Sequence, residues 1–197
     1  MKQIRLPVAF IIMLLFVGYA NGQNADPTEC FGCHSNNGNP TSPIFPRLAA
    51  QQKNYLINEL TALRSHQRSD PNAQAYMWPI ASALTDQQIQ SLANYFSAQP
   101  ATANTVPNDS ASIARGESIF KNGLPNQGVP ACESCHGPTA LGNSFAPRLA
   151  GQNAGYIVTQ FQAFDNEQRP EATTMPTFSK SLTMAQAQDV ANYLQSL

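Results

Sequence analysis

The sequence predicts an all-α protein built as two tandem domains, and three observations carry that prediction. Two stretches of the chain repeat one another, and apolar residues recur in both at helical spacing. No run alternates apolar and polar residues as a half-buried strand would. Of 197 residues, 42% are apolar, so there is material for a packed core, and the length suits one ordinary domain or two small ones. Only 12% are charged, about half the usual ~25%. Eleven Lys and Arg against twelve Asp and Glu exclude a polybasic nucleic-acid binder, whose affinity comes from neutralising phosphates. Fifteen prolines and the few charges likewise exclude a coiled coil.

The chain opens as a secretory signal peptide over residues 1–22. Lys2 and Arg5 precede an apolar run over residues 8–17, followed by the small residues Gly18, Ala20 and Gly22. Even counted through Ala20 the run has 13 residues, short of the ~20 a membrane-spanning helix needs. Cleavage is expected between residues 20 and 25, leaving nine basic and twelve acidic residues and no later membrane span. The expected destination is the periplasm, with at most a loose association with the inner membrane.

Residues 23–96 read as the first domain and 111–197 as the second. Pro46-Arg47-Leu48-Ala49-Ala50-Gln51 returns as Pro147-Arg148-Leu149-Ala150-Gly151-Gln152. Four residues after each Gln a tyrosine opens a helix: Tyr55, Leu56, Leu60 and Leu63 in one copy, Tyr156, Ile157, Phe161 and Phe164 in the other. Leu84-Thr85 and Ala93-Asn94-Tyr95 match Leu182-Thr183 and Ala191-Asn192-Tyr193, so Thr85 and Thr183 are expected to cap each last helix. Residues 97–110, rich in Ala, Thr, Asn and Pro without apolar periodicity, read as a linker. The second domain also has a helical pattern over residues 110–121, with Gly116 and Phe120 suited to cross its last helix near Tyr193. The first domain has at most about seven mature residues before Cys30, so its equivalent helix is shortened or missing.

All four cysteines lie in two copies of one motif, Cys30-Phe31-Gly32-Cys33-His34 and Cys132-Glu133-Ser134-Cys135-His136. This is the attachment spacing of c-type haem. Two thiols a helical turn apart add to the two vinyl groups of one porphyrin, and the following histidine sits beneath the iron as axial ligand. A zinc cage would leave both histidines idle and draw its thiolates from separate domains. A redox dithiol expects one motif beside a βαβ unit, and a Cys-x-x-Cys loop makes a poor structural staple. Two covalently attached haem c groups are the reading the spacing supports.

A closed, electron-transferring haem needs a second axial ligand, usually a methionine thioether, which raises the reduction potential. Outside the signal segment the first half has only Met77. The second half offers Met175 and Met184, and the repeat selects Met175: Met77 and Met175 each lie seven residues before Leu84 and Leu182. Met184 matches Asp86 in the first turn of the last helix. A methionine filling a core gap is the alternative. The adjoining Pro79 and Pro176 suit an extended loop carrying sulfur to the iron.

The tandem Cys-x-x-Cys-His motifs, the repeated Pro-Arg-Leu-Ala-x-Gln and the Met-x-Pro-x-x-x-x-Leu-Thr stretch resemble the dihaem cytochrome c4 family over essentially the whole mature chain. Tyr76-Met77-Trp78-Pro79-Ile80-Ala81 is similar to members from acidophilic iron and sulfur oxidisers. The resemblance implies two class I cytochrome c domains, each wrapped around one haem, with the haem edges close. It makes His34 and Met77 ligands of the first iron, and His136 and Met175 of the second. It gives the carbonyls of Pro46 and Pro147 to the second nitrogens of the two histidines. It places Arg47, Arg148, Gln51, Gln152, Tyr55 and Tyr156 to meet haem propionates, and His66, which has no repeat partner, on the surface. The function implied is electron carriage from a redox protein, such as a copper protein or cytochrome complex, to a terminal oxidase. The alternatives are a cytochrome subunit of a dehydrogenase, or a catalytic dihaem dehydrogenase or peroxidase. Asn and Gln total 35 against 23 charged residues, a composition that leaves fewer groups to protonate in an acidic periplasm.

Overall fold

The computed structural model describes residues 25–197, so the signal segment lies outside the described residues. The first half comprises α1 (Thr28–His34), α2 (Lys53–Arg64), a π-helical turn (Ala73–Met77), α3 (Trp78–Ala81) and α4 (Asp86–Ser97). The second comprises α5 (Ser110–Asn122), a 3-10 turn (Pro125–Gln127), α6 (Glu133–His136), α7 (Ala154–Asp165), α8 (Met175–Ser179) and α9 (Met184–Ser196). Among the described residues the only β pairing is one isolated bridge, Leu124 to Val129. The irregular segment is therefore 98–109, since Ser97 closes α4 and Ser110 opens α5.

Local chemistry fixes the last helix of each half. Gln88 N–H donates to Thr85 Oγ1 at 3.2 Å while Thr85 N–H donates to Gln88 Oε1 at 2.9 Å. Thr183 and Gln186 repeat this capping box at 3.2 and 2.8 Å. The prolines behave differently from expectation. Met77 closes the π turn and Met175 opens α8, so both methionines ride on helical turns and not on extended loops. Pro176 occupies the first turn of α8, where the missing N–H has no intrahelical acceptor to lose, and Pro79 lies in α3 directly after the π turn.

The two cores differ in size. Against α9 the second half packs Ile119 and Phe120 from α5 with Ile157, Phe161, Val190 and Leu194 in one cluster. The first half has two smaller clusters, Leu56 with Ala93 and Phe96, and Leu63 with Ala73 and Ala81. Helix α5 is the cause, because among the described residues nothing crosses α4 in the same way. Phe31 of the first motif partly substitutes: its ring lies 5.9 Å from Tyr95, where the second half sets Phe120 5.5 Å from the matching Tyr193.

The α5–α9 crossing depends on Gly116, where a Cβ would collide with the Asp189 carbonyl and approach Tyr193. Beside it, Asp189 accepts from Ser112 Oγ at 2.6 Å and from Arg115 Nε and NH2, both at 2.8 Å. Arg115, with Ser112 adding to it, holds the Asp189 carboxyl below its ordinary range although burial opposes this. Gly116→Ala is expected to destabilise the second half by about 1–3 kcal/mol or more, read by guanidinium unfolding. Asp189 contributes stability that is present above the ordinary carboxyl pKa of ~3.9 and is lost as pH falls through its lower folded value. Asp189→Asn should therefore lower stability at pH 7 and flatten the acid limb of a stability–pH profile; an unchanged limb would contradict the ion pair's role.

Candidate functional site

Helix α1 places Cys30 and Cys33 three positions apart on one face and ends at His34. The buried His34 ring donates Nδ1–H to the Pro46 carbonyl at 3.0 Å. A carbonyl only accepts, so Nδ1 carries the proton and Nε2 presents its lone pair. Burial lowers the pKa of His34, the Pro46 bond opposing it, and the ring stays neutral at pH 7. His136 repeats the arrangement on Pro147 at 3.0 Å, with the same causes. These are the two carbonyls that the sequence singled out.

The four cysteines form no disulfide. Burial pushes the Cys30 and Cys132 thiols up to about 11, so neither has the thiolate character of a reactive dithiol. Among the described residues no three His, Cys, Asp or Glu side chains converge as a metal site.

A cavity of about 690 Å³ runs through both halves with largely apolar walls, within the ~300–1,000 Å³ range of small-molecule sites. Cys30, Cys33, His34 and Met77 line it from one half, Cys132, Cys135, His136 and Met175 from the other. Met184 does not line it and is exposed at the start of α9. His66 is exposed as expected.

The candidate propionate partners divide into two groups. Gln152 Oε1 accepts the Arg47 N–H at 2.8 Å and its Nε2 donates to the Arg47 carbonyl at 3.0 Å. Gln51 does the same to Arg148, at 2.8 and 3.0 Å. Each amide thus grips the opposite half's backbone, and the Arg47 guanidinium is committed to Gly151, Asn39 and Thr102. Arg47, Gln51 and Gln152 also line the cavity, so residues that tie the halves together stand at its wall. Arg148 has no side-chain hydrogen bond among the described residues, and burial lowers its pKa. Tyr55 and Tyr156 line the cavity, each hydroxyl accepting from an arginine of the other half at 3.4 Å, and Tyr55 also donates to the Glu59 carboxylate.

Sequence reasoning missed a buried ion network beside these tyrosines. Glu59 bridges Arg68 at 2.7 Å and Arg169 of the other half; Asp70 and Glu171 complete the arginines at 2.8 and 3.0 Å. Gln160 Oε1 accepts from both arginines, at 3.1 and 3.0 Å. The signal lay in the repeat: Glu59, Arg68 and Asp70 recur at the same offset as Gln160, Arg169 and Glu171. Burial raises the Glu59 carboxyl pKa, but Arg169 and Arg68 outweigh it and hold the group below its ordinary range.

A haem c in each half fits these residues. The cavity joins both motifs, the two imidazoles present free nitrogens, and the buried Gln160 Nε2 at the cavity wall has no partner among the described residues. An acidic group entering between Gln160, Arg148 and the two tyrosines would satisfy that donor set.

Comparison with known proteins agrees. A cytochrome c family model matches residues 19–99 and 113–197. The chain is 40% identical to cytochrome c-552 of Acidithiobacillus ferridurans, covering all of this chain and 90% of that protein. The solved cytochrome c4 of Acidithiobacillus ferrooxidans superposes with a TM-score of 0.81 at 42% identity, over 86% of this chain and 99% of that one. A thiosulfate dehydrogenase electron acceptor of Thiomonas intermedia is 33% identical over 96% of this chain and 88% of its own length.

Replacing Glu59 by Gln removes the shared carboxylate and leaves Arg68 with Asp70 and Arg169 with Glu171. The expected loss is about 1.5–3 kcal/mol of stability, measured by guanidinium unfolding; a loss under about 0.5 kcal/mol would show that the bridge does not hold the halves.

Proposed function

The chain belongs to the dihaem cytochrome c4 family, with two covalently attached haem c groups, and from that premise we propose that it is an exported carrier passing single electrons between a periplasmic donor protein and a terminal oxidase. The observation that carries this reading is the duplication of complete ligand sets. Each half brings a neutral imidazole and a thioether to the cavity wall, so neither metal position is reserved for a substrate. No cysteine is spare for a catalytic ligand.

Each haem supplies a reversible Fe(II)/Fe(III) change. The chain's residues do the rest. Cys30 and Cys33, like Cys132 and Cys135, anchor the group; His34 and His136 ligate through Nε2 while the Pro46 and Pro147 carbonyls hold the rings. Met77 and Met175 would hold the iron through their thioethers, which raise the potential. Tyr55, Tyr156, Arg148 and Gln160 receive the propionates. The apolar wall excludes water, and the helical frame keeps rearrangement between oxidation states small.

Export is supported by the basic, apolar and small-residue pattern of residues 1–22. Among the described residues no helix is long and apolar enough to cross a membrane. The donor is taken to be a copper protein or a cytochrome complex. A second reading, a carrier dedicated to a thiosulfate-oxidising dehydrogenase, draws on the Thiomonas relative; rapid reduction by such an enzyme and thiosulfate would favour it over the oxidase route.

Met77→Ala is expected to abolish the iron–thioether charge-transfer band of the first haem, lower its potential and admit cyanide rapidly; Met175→Ala does the same to the second. Met184→Ala should change neither. Fast cyanide binding by the unaltered holoprotein would contradict the carrier reading.

A further inference from the structure

The turns that carry the two methionines are fastened in different ways. In the first half the residue after Met77 is Trp78, whose Nε1–H donates to the Arg68 carbonyl at 2.8 Å. Its indole lies flat on the His66 ring, with centroids 4.1 Å apart and planes 12° from parallel. Ser82 Oγ donates to the Trp78 carbonyl at 2.7 Å, so the contact of 3.1 Å between His66 Nε2 and Ser82 is a donation from the ring. Arg68 itself belongs to the buried ion network. The Met77 turn is thereby tied directly to the domain interface.

The second half keeps Arg169 at the place of Arg68 but lacks the Trp, His and Ser of this arrangement. Pro176 stands at the place of Trp78, Glu167 at that of His66 and Lys180 at that of Ser82. Between those two positions the link is an ion pair, Lys180 Nζ to Glu167 Oε1 at 2.7 Å, with side chains 47% and 77% exposed; within the turn Ser179 Oγ donates to the Pro176 carbonyl at 3.5 Å. An exposed pair of this kind contributes little and is screened by salt, whereas a stacked ring and a hydrogen bond to a neutral carbonyl are not.

We propose that Trp78 is a positioning residue for Met77, and that its absence from the second half makes Met175 the more labile of the two iron ligands. This rests on the reading of Met77 and Met175 as ligands. A thioether stays on iron only while its turn is held, so the better-fastened turn exchanges more slowly with an external ligand. The device lets two copies of one domain differ in ligand exchange without a change in ligand type. Added salt should act on the second site and leave the first untouched.

The test follows cyanide displacement of the thioether at each haem of the oxidised holoprotein, the two sites separated by the NMR signals of their methionine methyl groups. In the unaltered protein the second site is expected to exchange several-fold faster than the first, and 1 M sodium chloride should quicken the second alone. Trp78→Phe keeps a ring for His66 and removes the hydrogen bond; it should speed the first site several-fold and leave the second unchanged. Trp78→Leu removes both and should speed it further. Equal rates at the two sites, or a first-site rate unmoved in Trp78→Phe, would overturn the inference. Absence of methionine signals in the unaltered protein would overturn the ligand assignment instead. If Trp78→Leu fails to fold, Trp78→Phe and the salt series decide.

Discussion

One amide holds the backbone of Arg47 at both of its polar groups, and that amide, Gln152, comes from the other half. Arg47 follows Pro46, whose carbonyl orients the His34 ring. Gln51, Arg148, Pro147 and His136 form the same chain in the opposite sense. Each axial imidazole is thus aimed by a loop that the other half grips. The buried ion network adds a second tie, since Arg68 and Arg169 share the one carboxylate of Glu59.

This coupling answers a problem of size. A half of fewer than a hundred residues has a marginal core, and among the described residues the first half has only small clusters around Leu56 and Leu63. Covalent haem supplies apolar bulk, and the neighbouring half supplies cover. Duplication also leaves room for divergence. The three extra residues between Asp70 and Met77, relative to Glu171 and Met175, fall where the π turn forms, and π turns concentrate at functional sites.

Much of this was legible in the sequence because it is local or repeated. The Cys-x-x-Cys-His motifs, the Thr85 and Thr183 caps and the choice of Met175 over Met184 as the methionine at the cavity each follow from spacing within one copy or from alignment of the two. What was not legible depends on which surfaces meet. Gln51 and Gln152 lie near the motif, but their grip on the opposite backbone shows only once the halves meet. Glu59 reads as an ordinary helix residue until Arg169 is brought beside it. The methionine turns looked extended because proline suggests a break, although proline is tolerated in a first helical turn.

If the halves are one mechanical unit, the holoprotein should lose both sites together. Thermal unfolding, followed separately at the two haems, should give transitions with one shared midpoint. A first-half transition at lower temperature, with the second haem still native, would contradict the reciprocal grip on which the structure depends.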